Sequence, residues 1–314
     1  MKIRKVALIG AGAVGSYVIW GLDGVKDVTL AVIAQGARRE RLAREGVAIN
    51  EKRYPVRALE PAGAGPQDLV FVATKYGGLE DAVAMLPPLV GPDTMVLSLL
   101  NGVDSEDRIA RAIGEEHVVP ALIRIASRRT EAGICFDPAD PVNCISFGLP
   151  EAEAENGRKL EALSAFLSET PLCWELSQDI IAEIWLKFAS NVANNLPQAI
   201  IGAPATLYLR SEHGRILAQR LWSEVAAVAA LRGIQLAEEV FIFPGQHTGA
   251  KYSTLQDLEA GRHTEIEMFA GQVLRMAAEA GIAAPYCEYT YHAIKALEEK
   301  NDGLFDPKRR QVHL

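Results

Sequence analysis

The segment WLKFASNVANNLPQAI, residues 185–200, places Lys187, Asn191, Asn194 and Asn195 in an otherwise apolar run. In a helix, positions i, i+4, i+7 and i+8 lie near one face. One ammonium and three amides therefore share a stripe, with Ile184, Trp185, Phe188, Ala189, Val192 and Ala193 around it. An ammonium on such a helix is partly desolvated, which lowers its pKa towards the working pH. A positioned acid of this kind can polarise a carbonyl and deliver a proton to its oxygen. The amides can bind a carboxylate or hydroxyl without adding net charge. The structural alternative is a lysine snorkelling to water above asparagines that bond the nearby backbone.

A second group of residues reads as a phosphate cradle. Gly10-Ala11-Gly12-Ala13-Val14-Gly15 follows the apolar run KVALI and opens a helical pattern, the context in which G-x-G-x-x-G signals a dinucleotide. Gly10 permits the tight turn, Gly12 lets a pyrophosphate approach the backbone, and Gly15 lets the helix pack on the strand. Free N–H groups at the helix start hold the phosphates. The second strand ends Ile33-Ala34-Gln35-Gly36, without the acid that usually bonds an adenosine ribose, and Arg38, Arg39 and Arg41 follow. Lys75 and Asn101 end the next two strands, on the side of the sheet where ligands bind. The expectation is a nicotinamide dinucleotide, NADP(H) ahead of NAD(H), with Gln35, Arg38, Lys75 and Asn101 near it.

The elements that must position these residues follow from the hydrophobic pattern. Apolar strands (KVALIG, VTLAVIA, DLVFVATK, TMVLSLLNG, HVVPALIRIAS) alternate with short helices through the first part of the chain. Continuously apolar strands between helices indicate a parallel sheet covered on both faces. Residues 131–149 read as irregular and strand-like. After about Pro171 nearly everything is helical, with Ser177 a candidate cap for the helix carrying Lys187. The fold class is therefore α/β: a Rossmann-type domain over 1–173, then an all-α domain over 174–314.

Composition excludes several functions. The chain has 314 residues, 49% of them hydrophobic and 23% charged, as expected for about two globular domains. A net charge of -8 argues against nucleic acid as a partner. The six histidines show no metal-ligand spacing, so no metal site is expected. The four cysteines are scattered without C-x-x-C, which predicts free thiols and a cytoplasmic location. MKIRK followed by an apolar stretch imitates a signal peptide, but the glycine spacing favours a first strand and turn, and no other run is long enough to span a membrane.

With these segments in order, the chain resembles the ketopantoate reductase (2-dehydropantoate 2-reductase) family. The resemblance rests on GAGAVG, Lys75, LLNGV around Asn101, WLKFASNVANN, and the long match from Ser253 in STLQDLEAGRHTEIEMFAG to about residue 298. It implies NADPH-dependent reduction of a small 2-oxo acid, ketopantoate first, to the 2-hydroxy acid in pantothenate biosynthesis, in a cleft between the two domains. It implies that Lys187 is the catalytic lysine and that Asn191 and Asn195 bind substrate. Ser253 and Asn101 join them, Asn101 lying between nicotinamide and substrate. Glu267 is the acid matched to the substrate hydroxyl. Two departures stand out: Gln35 where members often carry Arg, and the unusual segment PALIRIASRRTEAG, residues 120–133. Exposed helical surface in the second domain is compatible with a homodimer.

Alternatives remain. A β-hydroxyacid dehydrogenase also uses a Lys and an Asn four residues apart, but prefers a GLGxMG-like turn. A regulator that only binds the dinucleotide has no need of Lys187. Thr264-Glu265-Ile266-Glu267 also fits a capping box, T-x-x-E, ahead of an apolar helix. In that reading Glu267 is structural.

Overall fold

The computed structural model describes residues 2–149, 154–240 and 249–306. The described strands are β1 (Lys5–Ile9), β2 (Thr29–Ile33), β3 (Val47–Ile49), β4 (Lys52–Tyr54), β5 (Arg57–Leu59), β6 (Leu69–Val72), β7 (Met95–Ser98), β8 (Ala121–Arg124), β9 (Ser127–Thr130), β10 (Gly133–Phe136), β11 (Cys144–Phe147) and β12 (Trp174–Leu176). Two compact units result, Met1–Ile181 and Ala182–Leu314. The first extends beyond residue 173 because β12 pairs in parallel with β11, with Ile145 opposite Trp174.

The core of the first unit is a five-stranded sheet in the order β5-β2-β1-β6-β7. Every pairing in it is parallel. Val6, Ala7, Leu8 and Ile9 are all buried, as are all four residues of β6 and of β7. This continuous burial is the pattern of a sheet covered on both faces. Leu8, Phe71 and Leu97 pack into one hydrophobic cluster, and Ala7, Val70 and Val96 pack into another.

The helix Ala13–Leu22 is held down by Tyr17. Its phenol is fully buried, donates to the carbonyl of Asn143 at 3.0 Å, and accepts from the N–H of Cys173 at 3.0 Å. Phe136 meets Tyr17 and Trp20 edge-on, at 5.5 and 5.8 Å between ring centroids. These contacts tie the helix to β10 and to the segments flanking β11 and β12. The segment 120–133 folds as β8, β9 and the turn into β10, with β9 and β10 antiparallel. Cys144 and Cys173 stand opposite one another on paired strands and form a disulfide, with Cα atoms 4.7 Å apart; only Cys135 and Cys287 are free. The expectation of four free thiols is thus corrected: strand pairing brings together two cysteines that are 29 residues apart in sequence.

The second unit is helical, with Ile180–Ile201, Thr206–Arg210, Glu212–Ala230, Ser253–Glu259, Ala270–Ala280 and Pro285–Asn301. Just ahead of the first of these, the Ser177 hydroxyl accepts from the N–H of Asp179 at 3.1 Å. Ser211 does cap the helix Glu212–Ala230, accepting from Gly214 N–H at 3.1 Å. Among the described residues, no helix is long and apolar enough to cross a membrane.

The capping box at Thr264 is also absent. The turn 264–269 precedes the helix, which starts only at Ala270. Thr264 instead donates both its N–H and its hydroxyl to one oxygen of Glu298, each at 2.7 Å. The other Glu298 oxygen faces Lys295 at 3.1 Å, and the carboxylate is almost wholly buried. A buried carboxylate with three donors is costly to remove, because its partners are left unsatisfied.

Two substitutions follow from this packing. Gly15→Ala would thrust a methyl group into the carbonyl of Gly10, whereas Gly12→Ala meets nothing within 4 Å. Gly15→Ala should therefore lose about 1–3 kcal/mol and several degrees of Tm, while Gly12→Ala keeps a near-native Tm; equal melting temperatures would contradict this packing. For the second unit, Glu298→Ala should cost about 2–4 kcal/mol. Glu298→Gln retains an acceptor for Thr264 and should cost clearly less, so equal losses in thermal melts would refute the clamp.

Candidate active site

The residues at the carboxyl ends of the five parallel strands form a continuous row. Strand register aligns Leu59, Ile33, Ile9, Val72 and Ser98 across the sheet. The next residues leave the sheet together: Glu60, Ala34, Gly10, Ala73 and Leu99. Ligands in such sheets bind outside this edge, where the helix connections diverge to opposite sides.

The glycine turn has the shape that a pyrophosphate requires. Gly10 has φ +105, and a Cβ there would lie 2.5 Å from the carbonyl oxygen of Ala73. Gly15 is equally confined, while Gly12 faces open space. The backbone is thus pressed tight at the first and third glycines and left bare at the second. Ala11, Ala13 and Val14 are half-buried around it. The first turn of the ten-residue helix Ala13–Leu22 supplies N–H donors with no intrahelical partner. The residues present therefore fit a dinucleotide phosphate, and they would hold it through backbone rather than through charge.

Flanking residues are placed by the neighbouring strands. Lys75 is exposed after β6, beside Thr74, whose buried hydroxyl has no hydrogen-bond partner. Asn101 is half-buried three residues after β7. The two following turns are fastened together by Tyr76, Asp104 and Arg108. The phenol of Tyr76 donates to Asp104 at 2.7 Å, and Arg108 donates to both, at 2.9 Å each. Arg108 also pairs with Glu80. This network was not apparent from sequence, although Asp104 and Arg108 lie at i, i+4. In the helix Ser105–Ile113, burial pushes the Glu106 carboxyl up to about 7, with the Ser105 hydroxyl partly opposing it.

At the end of β2 the structure adds a residue the sequence reading missed. Gln35 is exposed and precedes the helix Gly36–Glu45, and Arg38 is exposed on its first turn. Glu60, following β5, reaches this helix start. It accepts from Gly36 N–H at 3.3 Å and faces Arg39 Nε at 3.1 Å. It escaped notice because β5 is only three residues long and no motif marks it.

In the second unit the stripe exists as a helix. Lys187, Asn191 and Asn195 follow one another at i, i+4 and i+8 within Ile180–Ile201, about 6 Å apart along the axis. Lys187 and Asn191 are half-buried, and Asn195 is 4% exposed. Trp185 and Phe188 flank the lysine and pack edge-on at 5.9 Å. Asn194 behaves differently. It is fully buried, donates to the carbonyl of Ser190 at 2.7 Å, and its own carbonyl accepts from the Tyr208 phenol. One of the three amides therefore serves the helix itself.

Gln198, one turn further, fixes a second segment. Its amide donates to the carbonyl of Ala250 at 3.2 Å and accepts from Tyr252 N–H at 2.6 Å. Ser253, exposed, then starts the helix Ser253–Glu259.

The turn 264–269 is anchored on the lysine helix through Phe269, whose ring lies 6.4 Å from Phe188. Of its two carboxylates, Glu267 is exposed and engaged with the helix Pro285–Asn301 and with Arg275. It accepts from the Tyr291 phenol at 2.6 Å and faces Arg275 at 3.8 Å and Lys295 at 4.0 Å. The hydrogen bond to Glu267, then burial, raises the Tyr291 pKa. For Lys295, burial acts downward, but Glu298 and Glu267 outweigh it and the pKa is raised. Glu265, two residues earlier, is half-buried, and its carbonyl accepts from the N–H groups of Met268 and Phe269.

Known proteins resemble the chain over nearly its whole length. Residues 6–136 match the family model described as ketopantoate reductase PanE/ApbA, and residues 179–298 match its C-terminal counterpart. A 2-dehydropantoate 2-reductase of Mesorhizobium japonicum is 27% identical over 297 residues, covering 86% of this chain and 90% of that one. One from Pyrococcus horikoshii is 28% identical over 312 residues, covering 95% and 99%. Among solved structures, a D-mandelate dehydrogenase with NADH and anilino(oxo)acetate superposes with a TM-score of 0.83 at 22% identity, over 95% of this chain and 99% of that one. A ketopantoate reductase from Ralstonia eutropha JMP134 gives 0.78 at 23%, over 95% and 100%. With both halves matched in order on a Rossmann sheet and a helical unit, the chain belongs to the ketopantoate reductase family of oxidoreductases.

Proposed function

We propose that the protein reduces the carbonyl of a small 2-oxo acid to a 2-hydroxy acid, with ketopantoate the first candidate. The observation that carries this reading is the Lys187–Asn191–Asn195 stripe on a buried helix, in a chain whose other unit carries the glycine cradle. A bound nicotinamide dinucleotide supplies the hydride. Everything else is the work of the chain's own side chains. The Lys187 ammonium donates a hydrogen bond to the substrate carbonyl oxygen, which makes the carbon a better hydride acceptor. It then gives up a proton as negative charge develops on that oxygen. Asn191 and Asn195 donate to the carboxylate and hydroxyl groups, and Ser253 and Asn101 complete the polar set.

A carboxylate from the turn 264–269 serves the substrate hydroxyl. The position expected from the family match is Glu267. Its exposure favours Glu265, the half-buried acid of the same turn, for that role. Glu267 then acts as a strut between the turn and the last helix.

A broader substrate range is the second reading. The D-mandelate dehydrogenase fold neighbour was solved with an aryl-substituted oxo acid, so bulky 2-oxo acids belong in any panel beside ketopantoate. A dimeric ketopantoate reductase from Staphylococcus aureus has the same fold at a TM-score of 0.73, and a homodimer is our reading for this chain as well.

Steady-state assays with this panel test the roles. Lys187→Ala should lower kcat by at least 100-fold, the size typical of general acid catalysis, with an unchanged circular dichroism spectrum; near-full turnover would refute the acid role. Asn191→Ala and Asn195→Ala should each cost roughly tenfold or more in kcat/KM for the oxo acid, and leave the dinucleotide KM near native. A reversed pattern would assign the amides to the wrong ligand. Glu265→Gln should depress kcat/KM for a hydroxylated oxo acid more than for an analogue lacking the hydroxyl, while Glu267→Gln should mainly lower Tm. The opposite pairing would return the substrate role to Glu267.

A further inference from the structure

The acid that β2 lacks is supplied by the strand beside it. In a dinucleotide site of this topology, the end of β2 and the start of the following helix receive the adenosine ribose, and a carboxylate there bonds the ribose hydroxyls. Ala34 and Gln35 offer none. The register between β2 and β5 sets Ile33 opposite Leu59, so the residue after Leu59 emerges next to Ala34. That residue is Glu60. Its carboxylate accepts from Gly36 N–H at 3.3 Å and pairs with Arg39 at 3.1 Å.

These are the two groups that a 2′-phosphate would use. A phosphate on the ribose seeks the free N–H groups of a helix start and a guanidinium close by. Here one carboxylate oxygen accepts from the first N–H and forms an ion pair with the nearest guanidinium. Arg39 also lies 3.9 Å from Glu40, so its charge is shared between two acids. Gln35 is neutral. Arg38 remains as an exposed cation on the same turn, but a phosphate reaching it would sit beside the Glu60 carboxylate. Like charges at such range repel, and specificity can be built from repulsion of the wrong ligand as well as from attraction of the right one.

We propose that Glu60 makes this chain selective for the unphosphorylated dinucleotide, NAD(H), by occupying the 2′-phosphate position and offering an acceptor to the ribose hydroxyls. The inference deepens the reductase reading above, and rests on it for the presence of a dinucleotide. It replaces the NADP(H) expectation drawn from the arginines after β2: of these, Arg39 is the one that the structure ties to an acid.

The test is binding, measured without any oxo acid. NADH and NADPH are titrated separately into the full chain and followed by nicotinamide fluorescence, for the native protein and for Glu60→Gln. The native protein should bind NADH at least tenfold more tightly than NADPH. Removing the carboxylate charge should shrink the ratio of the two dissociation constants by about tenfold, a change typical of one charge-assisted contact. Adding Gln35→Arg to Glu60→Gln should invert the preference. Glu60 is half exposed and its partners are on the surface, so a native Tm is expected for these variants. Equal affinities in the native protein, or a ratio unmoved by Glu60→Gln, would overturn the proposal. Binding of neither dinucleotide would overturn it together with the reductase reading. NADH binding with no reduction of any 2-oxo acid would leave Glu60's role standing and remove the proposed reaction alone.

Discussion

Backbone contact without side chains is the constraint on which the first unit depends. Gly10 lies against the carbonyl of Ala73, and Gly15 lies against that of Gly10, so β1, its turn and the next helix close on β6 with no room for a methyl group. This closeness allows the helix N–H groups to point out of the sheet edge at Gly12, where space is left open. It also fixes where the helix runs, and hence where Tyr17 must be buried. The Tyr17 phenol bridges Asn143 and Cys173, so the glycine turn and the sheet carrying the disulfide are parts of one packing arrangement. Phosphate binding by backbone dipoles needs rigidity more than charge. A net charge of -8 is therefore no obstacle to holding an anionic ligand.

In the second unit the organising feature is a set of polar groups with different tasks on one apolar helix. Asn194 turns its amide back to Ser190 and Gln198 clamps the 250–252 segment, while Lys187, Asn191 and Asn195 form the i, i+4, i+8 line. The helix tolerates Pro197 within it, which removes one N–H donor and its bond to the carbonyl of Ala193. A second clamp, Glu298 on Thr264, holds the carboxylate-bearing turn in place. The positioning therefore rests on buried hydrogen bonds. Such networks specify one geometry at the cost of being intolerant of single deletions.

Much of this was legible in the sequence where one local pattern fixed one outcome. The strand–glycine–helix unit, the parallel sheet and the lysine helix were read from periodicity and spacing alone, because burial on two faces leaves continuous apolar runs and a helix leaves a 3.6-residue period. What escaped depends on pairing between distant segments. Glu60 acquires its meaning from the alignment of Leu59 with Ile33, and no window around residue 60 reveals it. Cys144 and Cys173 become partners only once β11 and β12 pair. The same limit explains the capping box at Thr264. Local sequence favoured a bond to Glu267, and a buried carboxylate 34 residues away, Glu298, took its place. Tertiary contacts outweigh a local cap when they satisfy the same donors in a less exposed setting.

The proposed reaction is a direct hydride transfer to the carbonyl carbon of a 2-oxo acid, with Lys187 proposed to protonate the oxygen. The most direct measurement is mass spectrometry of the product formed from ketopantoate with a dinucleotide deuterated at the transferring position of the nicotinamide ring. One deuterium is expected at C2 of the 2-hydroxy acid, none acquired from deuterated water at that carbon, and no labelled product with Lys187→Ala on the same timescale. Product without label at C2, or full labelling by the Lys187→Ala variant, would contradict it.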